Sequence, residues 1–342
     1  MTWFEALTGF REVSPDQVRE TITLAGDALT SRVNGRTFTC GRLETPSLGE
    51  LRQRVGRGRR ATGRLTLEEV VGDVADLHAD ASNAGSLFQV ASQFNLLEMV
   101  GPHVTPERGV GIYEHDHTQG PVCAMACGAG TIYRNYFVVV DGQPGQSASR
   151  QIDCLSDLGA ALGNAEGRLW EMSNGYALAS REGLIEISDR LEASSEGERD
   201  HLRQRLRIGV QWNTQVTIRG SSHTVTQAYC SALPVAYSNH PPGLWEGFAR
   251  LVLEASYEAT ICAAILDAQG TGNNRLFLTL LGGGAFGNKT DWIIDSIERA
   301  LRLYEDWDLD VAIVSYSGSN PAVGRTVERF AQRALYRPES AT

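Results

Sequence analysis

The chain has 342 residues, 42% hydrophobic and 21% charged, enough to bury the core of one large α/β domain or two modest ones. A formal net charge of −10 argues against a broad grip on nucleic acid, which needs a basic face. Six scattered cysteines in apolar surroundings read as reduced, buried thiols of a cytoplasmic protein. The opening residues lack a secretory pattern, and no stretch approaches the ~20 apolar residues of a membrane span.

In chain order, Ser14 and Pro15 open a short helix over 14–22, and 28–44 holds two β-rich runs around Asn34-Gly35, a hairpin signal. Ser47 caps a helix over 47–55, and the basic run 52–60 reads as a solvated connector. Residues 65–78 lead to a buried strand over 85–95. Small apolar residues predict a buried helix over 120–136, followed by a strand over 135–142 and a loop over 142–152. A hairpin is expected over 169–180, interrupted amphipathic helix over 181–209, and strands over 210–217 and 224–237. A long helix over 242–266, a strand over 275–281, a glycine turn, a helix over 290–304, a strand over 309–317 and a helix over 321–335 follow. This alternation predicts an α/β fold with a central mixed sheet covered by helices.

The glycine turn, "GGGAFGN" at 282–288, joins a strand to a helix, a place where backbone N–H groups can face an anion. It is not a phosphate-binding P-loop, because Asn288 separates Gly287 from Lys289. Gly282, Gly284 and Gly287 meet the G-x-G-x-x-G spacing of a dinucleotide fold, but the next strand ends in "YSGS" without the required acid.

A different set of residues arrives in a recognisable order. "VGDVADLHADASNAGSLFQVASQFN" (71–95) resembles the opening of a macrodomain, with Gly72-Asp73-Val74 as its "GDI" step and Asn95 closing the strand. "SSHTVTQAYC" (221–230) is similar to a later macrodomain strand, and the 282–287 turn is similar to that of the poly(ADP-ribose) glycohydrolase-like macrodomains. The resemblance implies a three-layer α/β/α macrodomain-like unit over 65–335 with an insertion near 140–207. An N-terminal extension (1–64; helix, hairpin, helix) and a tail (336–342) would flank it. It implies ADP-ribose, or an ADP-ribosylated substrate, as the partner, with no cofactor, no metal and no membrane. Asp73 would accept from the adenine amino group, Gly282, Gly283, Gly284 and Ala285 would approach the pyrophosphate, and Phe286 would lie against a ribose or base. Val74, Asn95, Thr118, Gln119, Gly120, Gly287 and Asn288 complete the expected binding set. Each has a plainer alternative: Asp73 is also a helix cap, and the glycines also make a tight turn.

The chemistry is expected on the glycine-containing loop 96–126. Gln119 matches the Gln of the glycohydrolase Gln-Glu-Glu motif, but Gly120 and Pro121 stand where the glutamates belong. Cleaving a glycosidic bond to ribose needs a group that moves a proton, so a nearby acid must serve. The order of preference is Asp116, then Glu114, then Glu98. "EHDHT" (114–118) with Cys123 or Cys127 also permits a metal reading, which lacks a second cluster, and a buried thiol nucleophile is ordinarily inert. Trp170, Tyr176, Trp212 and Asn213 could line a pocket but read more readily as core or hairpin residues. Three functions follow: an ADP-ribosyl glycohydrolase, a non-catalytic ADP-ribose-binding module, or a structural, partner-binding domain.

Overall fold

The computed structural model describes residues 1–58 and 63–336, so the end of the basic run and residues 337–342 of the expected tail lie outside the described residues. Seven strands build one sheet: β1 (Arg42–Glu44), β2 (Thr66–Val71), β3 (Leu87–Ala91), β4 (Gly209–Gln215), β5 (Thr224–Cys230), β6 (Arg275–Leu278) and β7 (Asp310–Ser315). Their spatial order is β1-β4-β5-β3-β6-β7-β2. From β5 to β2 the strands are parallel; β4 is antiparallel to β5, and β1 to β4.

The central strands are apolar on both faces because helices cover both. On β3, Phe88 turns one way and stacks on His78 of helix Val74–Ala79, with 3.8 Å between ring centroids. Gln89 turns the other way, and its amide donates to Thr260 of helix Pro242–Thr271 at 3.0 Å. The architecture is therefore helix, sheet, helix, as the alternation predicts. Helix 242–271 is buried along most of its length, and helices Leu48–Arg57, Arg181–Ala193 and Thr290–Leu303 pack around it.

Several local expectations change. The predicted helix 120–136 is two helices, Gln119–Ala126 and Gly128–Tyr136, because Cys127 leaves the helical region with φ −113 and ψ 60. The hairpin at 28–44 is Ala28–Ser31 against Thr37–Thr39, and the chain beyond it crosses to the large sheet as β1. The strand expected over 135–142 shrinks to Val139–Val140, because helix 128–136 runs through its first residues. Within the basic run, Arg52 is no solvated side chain. It grips Glu258 of helix 242–271 at 2.5 Å and Asp200 at 2.8 Å, and Arg299 shares Glu258 at 2.7 Å. All six cysteines are free and buried. No helix among the described residues is long and apolar enough to cross a membrane.

One buried acid strains this arrangement. Asp267 reaches from helix 242–271 to β5, where its Oδ1 accepts the Thr226 hydroxyl at 2.7 Å while its Oδ2 has no partner. Burial pushes its pKa up to about 6. A raised carboxyl pKa means the folded chain binds more protons than the unfolded one between pH 4 and 6, so stability falls as pH rises through that window. Asp267→Asn is expected to stabilise the fold by about 1–2 kcal/mol at pH 7.5, with the gain vanishing toward pH 4. Urea unfolding at the two pH values checks this; an equal effect at both would contradict it.

Candidate functional site

The cleft begins where two parallel strands part. The β3–β6 ladder ends at the Phe88–Phe277 pair, although β3 continues to Ala91. The chain leaving β3 builds helices 119–126 and 128–136 on the His78 face, whereas the chain leaving β6 builds helix 290–303 on the opposite face. Strands whose exits diverge in this way leave a crevice at their carboxyl ends, the usual ligand position in an open α/β sheet. Here the crevice holds about 780 Å³ of empty space, part of it open to solvent.

Gln119 makes the parting possible. Its Oε1 accepts the Ala91 N–H at 2.9 Å and its Nε2 donates to the Gln89 carbonyl at 2.8 Å. One side-chain amide thus replaces part of the missing stretch of neighbouring strand, satisfying the Gln89 carbonyl and the Ala91 N–H at the cleft floor. The close approach fixes the next residue: a Cβ on Gly120 would run into the Ala91 carbonyl and the Glu98 carboxylate. No side chain fits at 120, so the helix start cannot carry an acid there.

An acid comes instead from the loop after β3. Glu98 lines the cleft, is 3% exposed, and its Oε1 has no hydrogen-bond partner. Burial drives its pKa well above the usual carboxylate range; Arg134 offsets part of this and Asp116 adds to it. The backbone carrying it is held from every side. Leu97 N–H donates to Asn95 Oδ1 (3.1 Å), Glu98 N–H to the Tyr113 hydroxyl (3.0 Å), and Met99 N–H to Gln93 Oε1 (2.9 Å). Arg134 Nε donates to the carbonyl of Leu96, whose φ of 65 is left-handed, and Tyr176 donates to the Met99 carbonyl at 2.8 Å. A non-glycine residue held in that region by so many contacts is a pre-organised loop.

The glycine turn forms the opposite wall. Tyr257 of helix 242–271 pins its start, donating to the Thr279 carbonyl at 2.7 Å and accepting the Leu281 N–H at 2.8 Å. The N–H groups of Gly282, Gly284, Ala285 and Phe286 donate to no group among the described residues, and these residues line the cleft. The N–H groups of Gln119 and Gly120 at the start of helix 119–126 are likewise unused. Two sets of free donors border one crevice, an arrangement suited to an anion. The Phe286, Tyr176 and Tyr237 rings, 5.1–5.6 Å apart between centroids, make an aromatic wall.

The structure sorts the expected residues into two groups. Lining the cleft are Glu98, Asp116, Thr118, Gln119, Gly120, Gly282, Gly284, Ala285 and Phe286. Asp116 accepts both the N–H and the hydroxyl of Thr118, at 2.9 and 2.7 Å. The others lie elsewhere. Asp73 caps helix 74–79, accepting the Ala75 N–H at 2.8 Å, and Val74 is buried in the core. Asn95 is buried: its Oδ1 holds Leu97, and its Nδ2 donates to Gln151, which passes the contact to Asn174. Glu114 accepts the Trp3 N–H at 3.0 Å, away from the cleft. Gly283 is exposed, its Cβ position facing Ile293, and Asn288 is buried, its Nδ2 donating to the Leu233 carbonyl at 2.8 Å. Gly287 has φ +71 and packs on Ala236.

The expected glycine-containing loop is also rearranged. Gly109 and Gly111 turn away from the cleft toward Glu12, whose carboxylate accepts the N–H groups of Val110 (3.0 Å) and Gly111 (2.6 Å). Ser92, Gln93, Met99 and Tyr176, the last read as core or hairpin, line the cleft outside the expected set, as does Tyr237. It stands in a short turn before helix 242–271, with no periodic or motif signal around it. No group of three or more potential metal ligands comes together among the described residues.

Fold and cleft together give an α/β protein whose crevice is lined in part by a buried carboxyl. No sequence-family profile matches the chain, and no curated protein matches it. Among solved structures, a mutant poly(ADP-ribose) glycohydrolase of Deinococcus radiodurans in complex with ADP-ribose is similar over 86% of this chain and 94% of its own, with a TM-score of 0.46 and 12% identity. The Thermomonospora curvata poly(ADP-ribose) glycohydrolase bound to the inhibitor ADP-HPD is similar over 93% of this chain and 97% of its own, with a TM-score of 0.42 and 14% identity.

The turn's glycines separate into two tasks, which stability measurements distinguish. Gly287→Val forces a β-branched residue to positive φ against Ala236 and is expected to cost about 1–3 kcal/mol. Gly284 has open space around its Cβ position, so Gly284→Val is expected to leave the thermal transition unchanged while narrowing the cleft. Equal destabilisation by both would contradict this division.

Proposed function

We propose that this protein binds ADP-ribose in the cleft and hydrolyses a glycosidic bond to its ribose, with Glu98 as the principal acid–base group. The observation that carries the reading is the pairing of unused backbone donors with an unpartnered, buried carboxyl across one crevice. The N–H groups of the 282–286 turn and the start of helix 119–126 would take the pyrophosphate. The wall of Tyr176, Tyr237 and Phe286 would take the apolar face of a ribose or base. The macrodomain-like order of the sequence motifs supports the same ligand.

Glu98 suits proton transfer. Its pKa is raised, so its neutral form persists at higher pH than an ordinary carboxyl allows and can donate to the leaving group. After departure of the leaving group, the resulting carboxylate can take a proton from the attacking water. Asp116, at the more exposed edge of the cleft, would serve as the second carboxyl, stabilising positive charge that develops on the ribose. Glu114 has no part in this scheme because its carboxylate is engaged by Trp3. The binding-module alternative keeps one supporting observation, the absence of an acid at 120 and 121.

A panel of ADP-ribosylated protein, ADP-ribosylated nucleic acid and small ADP-ribosyl conjugates tests the proposal. Wild-type protein is expected to release ADP-ribose from at least one. On that substrate Glu98→Gln is expected to lower kcat by ~10²–10⁴ and leave ADP-ribose affinity within a few-fold, with Asp116→Asn having a smaller effect. Loss of the Glu98 proton should make the wild-type rate fall on the alkaline side, a limb that Glu98→Gln lacks. Binding without release from any substrate would make the protein a reader. Full rate in Glu98→Gln would place the chemistry elsewhere.

A further inference from the structure

Residues 2–12 lie far from the cleft in sequence, yet they hold both loops that carry its carboxyls. The loop 106–118, which ends in Asp116 and Thr118, has only two short 3-10 turns of its own, Pro106–Arg108 and Gly111–His115. Four of its anchors come from the start of the chain. Trp3 Nε1 donates to the Val110 carbonyl and Trp3 N–H to Glu114, each at 3.0 Å. Glu12 Oε1 accepts the Val110 N–H and Glu12 Oε2 the Gly111 N–H, while the Tyr136 hydroxyl donates to Oε1 at 2.5 Å.

The fit around Glu12 is built in. A Cβ on Gly109 would lie 2.6 Å from its carboxylate and one on Gly111 2.8 Å, so both glycines are required by its approach. A carboxylate that accepts two successive backbone N–H groups fills an anion cradle that the loop would otherwise leave open. The second carboxyl depends on the same segment. Phe4 and Leu7 share an apolar cluster with Leu97 and Met99, which flank Glu98, and with Tyr113, whose hydroxyl holds the Glu98 N–H.

We propose that residues 2–12 form an intramolecular strap and that Glu12 is a positioning residue, setting loop 106–118 so that Asp116 meets the cleft opposite Glu98. The catalytic arm of this proposal rests on the hydrolase reading above; its structural arm does not. Without the Glu12 carboxylate, the Val110 and Gly111 amides lose their acceptors, and the two glycines leave the loop free to take other conformations.

Hydrogen exchange on the full chain tests the structural arm, comparing wild type, Glu12→Ala, Glu12→Gln and the exposed control Glu20→Ala. Loss of a charge-assisted acceptor is expected to speed exchange by about tenfold or more across 106–118 in Glu12→Ala, with Glu12→Gln intermediate, Glu20→Ala unchanged and the central strands protected as before. On a turned-over substrate, kcat is expected to fall about tenfold in Glu12→Ala while ADP-ribose affinity stays within a few-fold. Unchanged exchange over 112–118, or a rise spread evenly over the whole chain, would overturn the strap. If wild type turns over no substrate, the hydrolase reading fails and the exchange result alone decides this proposal.

Discussion

The cleft depends on the side-chain amide of Gln119 standing in for a β-strand. A parallel ladder that stops early leaves unpaired N–H and C=O groups, which are costly when shielded from water. Gln119 satisfies the Gln89 carbonyl and the Ala91 N–H together, so β6 can turn away after Leu278 and open a crevice. The same pair of contacts draws the start of helix 119–126 against the end of β3. That closeness excludes any side chain at 120 and brings the Glu98 carboxylate beside Gly120.

The second constraint is the burial of Glu98. A carboxyl removed from water and left without a partner on Oε1 is unfavourable, and it persists only because its surroundings fix it. Asn95, Gln93, Tyr113, Tyr176 and Arg134 bond the backbone of residues 96–99 and leave the carboxyl itself unbonded. Polar side chains that could have met a ligand are spent on orientation, and the Glu98 carboxyl, which lines the cleft, keeps an unpartnered oxygen. Such an allocation suits a site that must move a proton.

The alternation of helix and strand was legible because buried parallel strands are apolar runs and the helices carry caps, as at Ser47 with Glu50. The glycine turn was legible because strand, turn and helix are contiguous. Three features were not. Asn95 has the residue type of a ligand contact, but its amide is spent on Leu97 two positions on and on Gln151, which comes from an insertion whose path the sequence does not reveal. Gly109 and Gly111 lie in the glycine-containing loop expected to carry the chemistry, and only the fold shows Glu12, nearly a hundred positions earlier, against both. Among the three acids, type and spacing cannot rank burial. Asp116 is nearer Gln119 in sequence, whereas Glu98 is the one the fold removes from water. Residues 42–44 read as the end of the hairpin, whereas their place on the outer edge of the large sheet is set by β4, more than 160 residues later.

The crevice between the 282–286 turn and Glu98 is the proposed ADP-ribose site. The most direct measurement is isothermal titration of the full chain with ADP-ribose, run beside adenosine and inorganic pyrophosphate. Saturable one-to-one binding of ADP-ribose is expected, with much weaker binding of either fragment and loss of the ADP-ribose signal in Gly284→Val with the fold intact. No heat and no thermal shift at millimolar ADP-ribose would contradict it and leave the cleft without its assigned ligand.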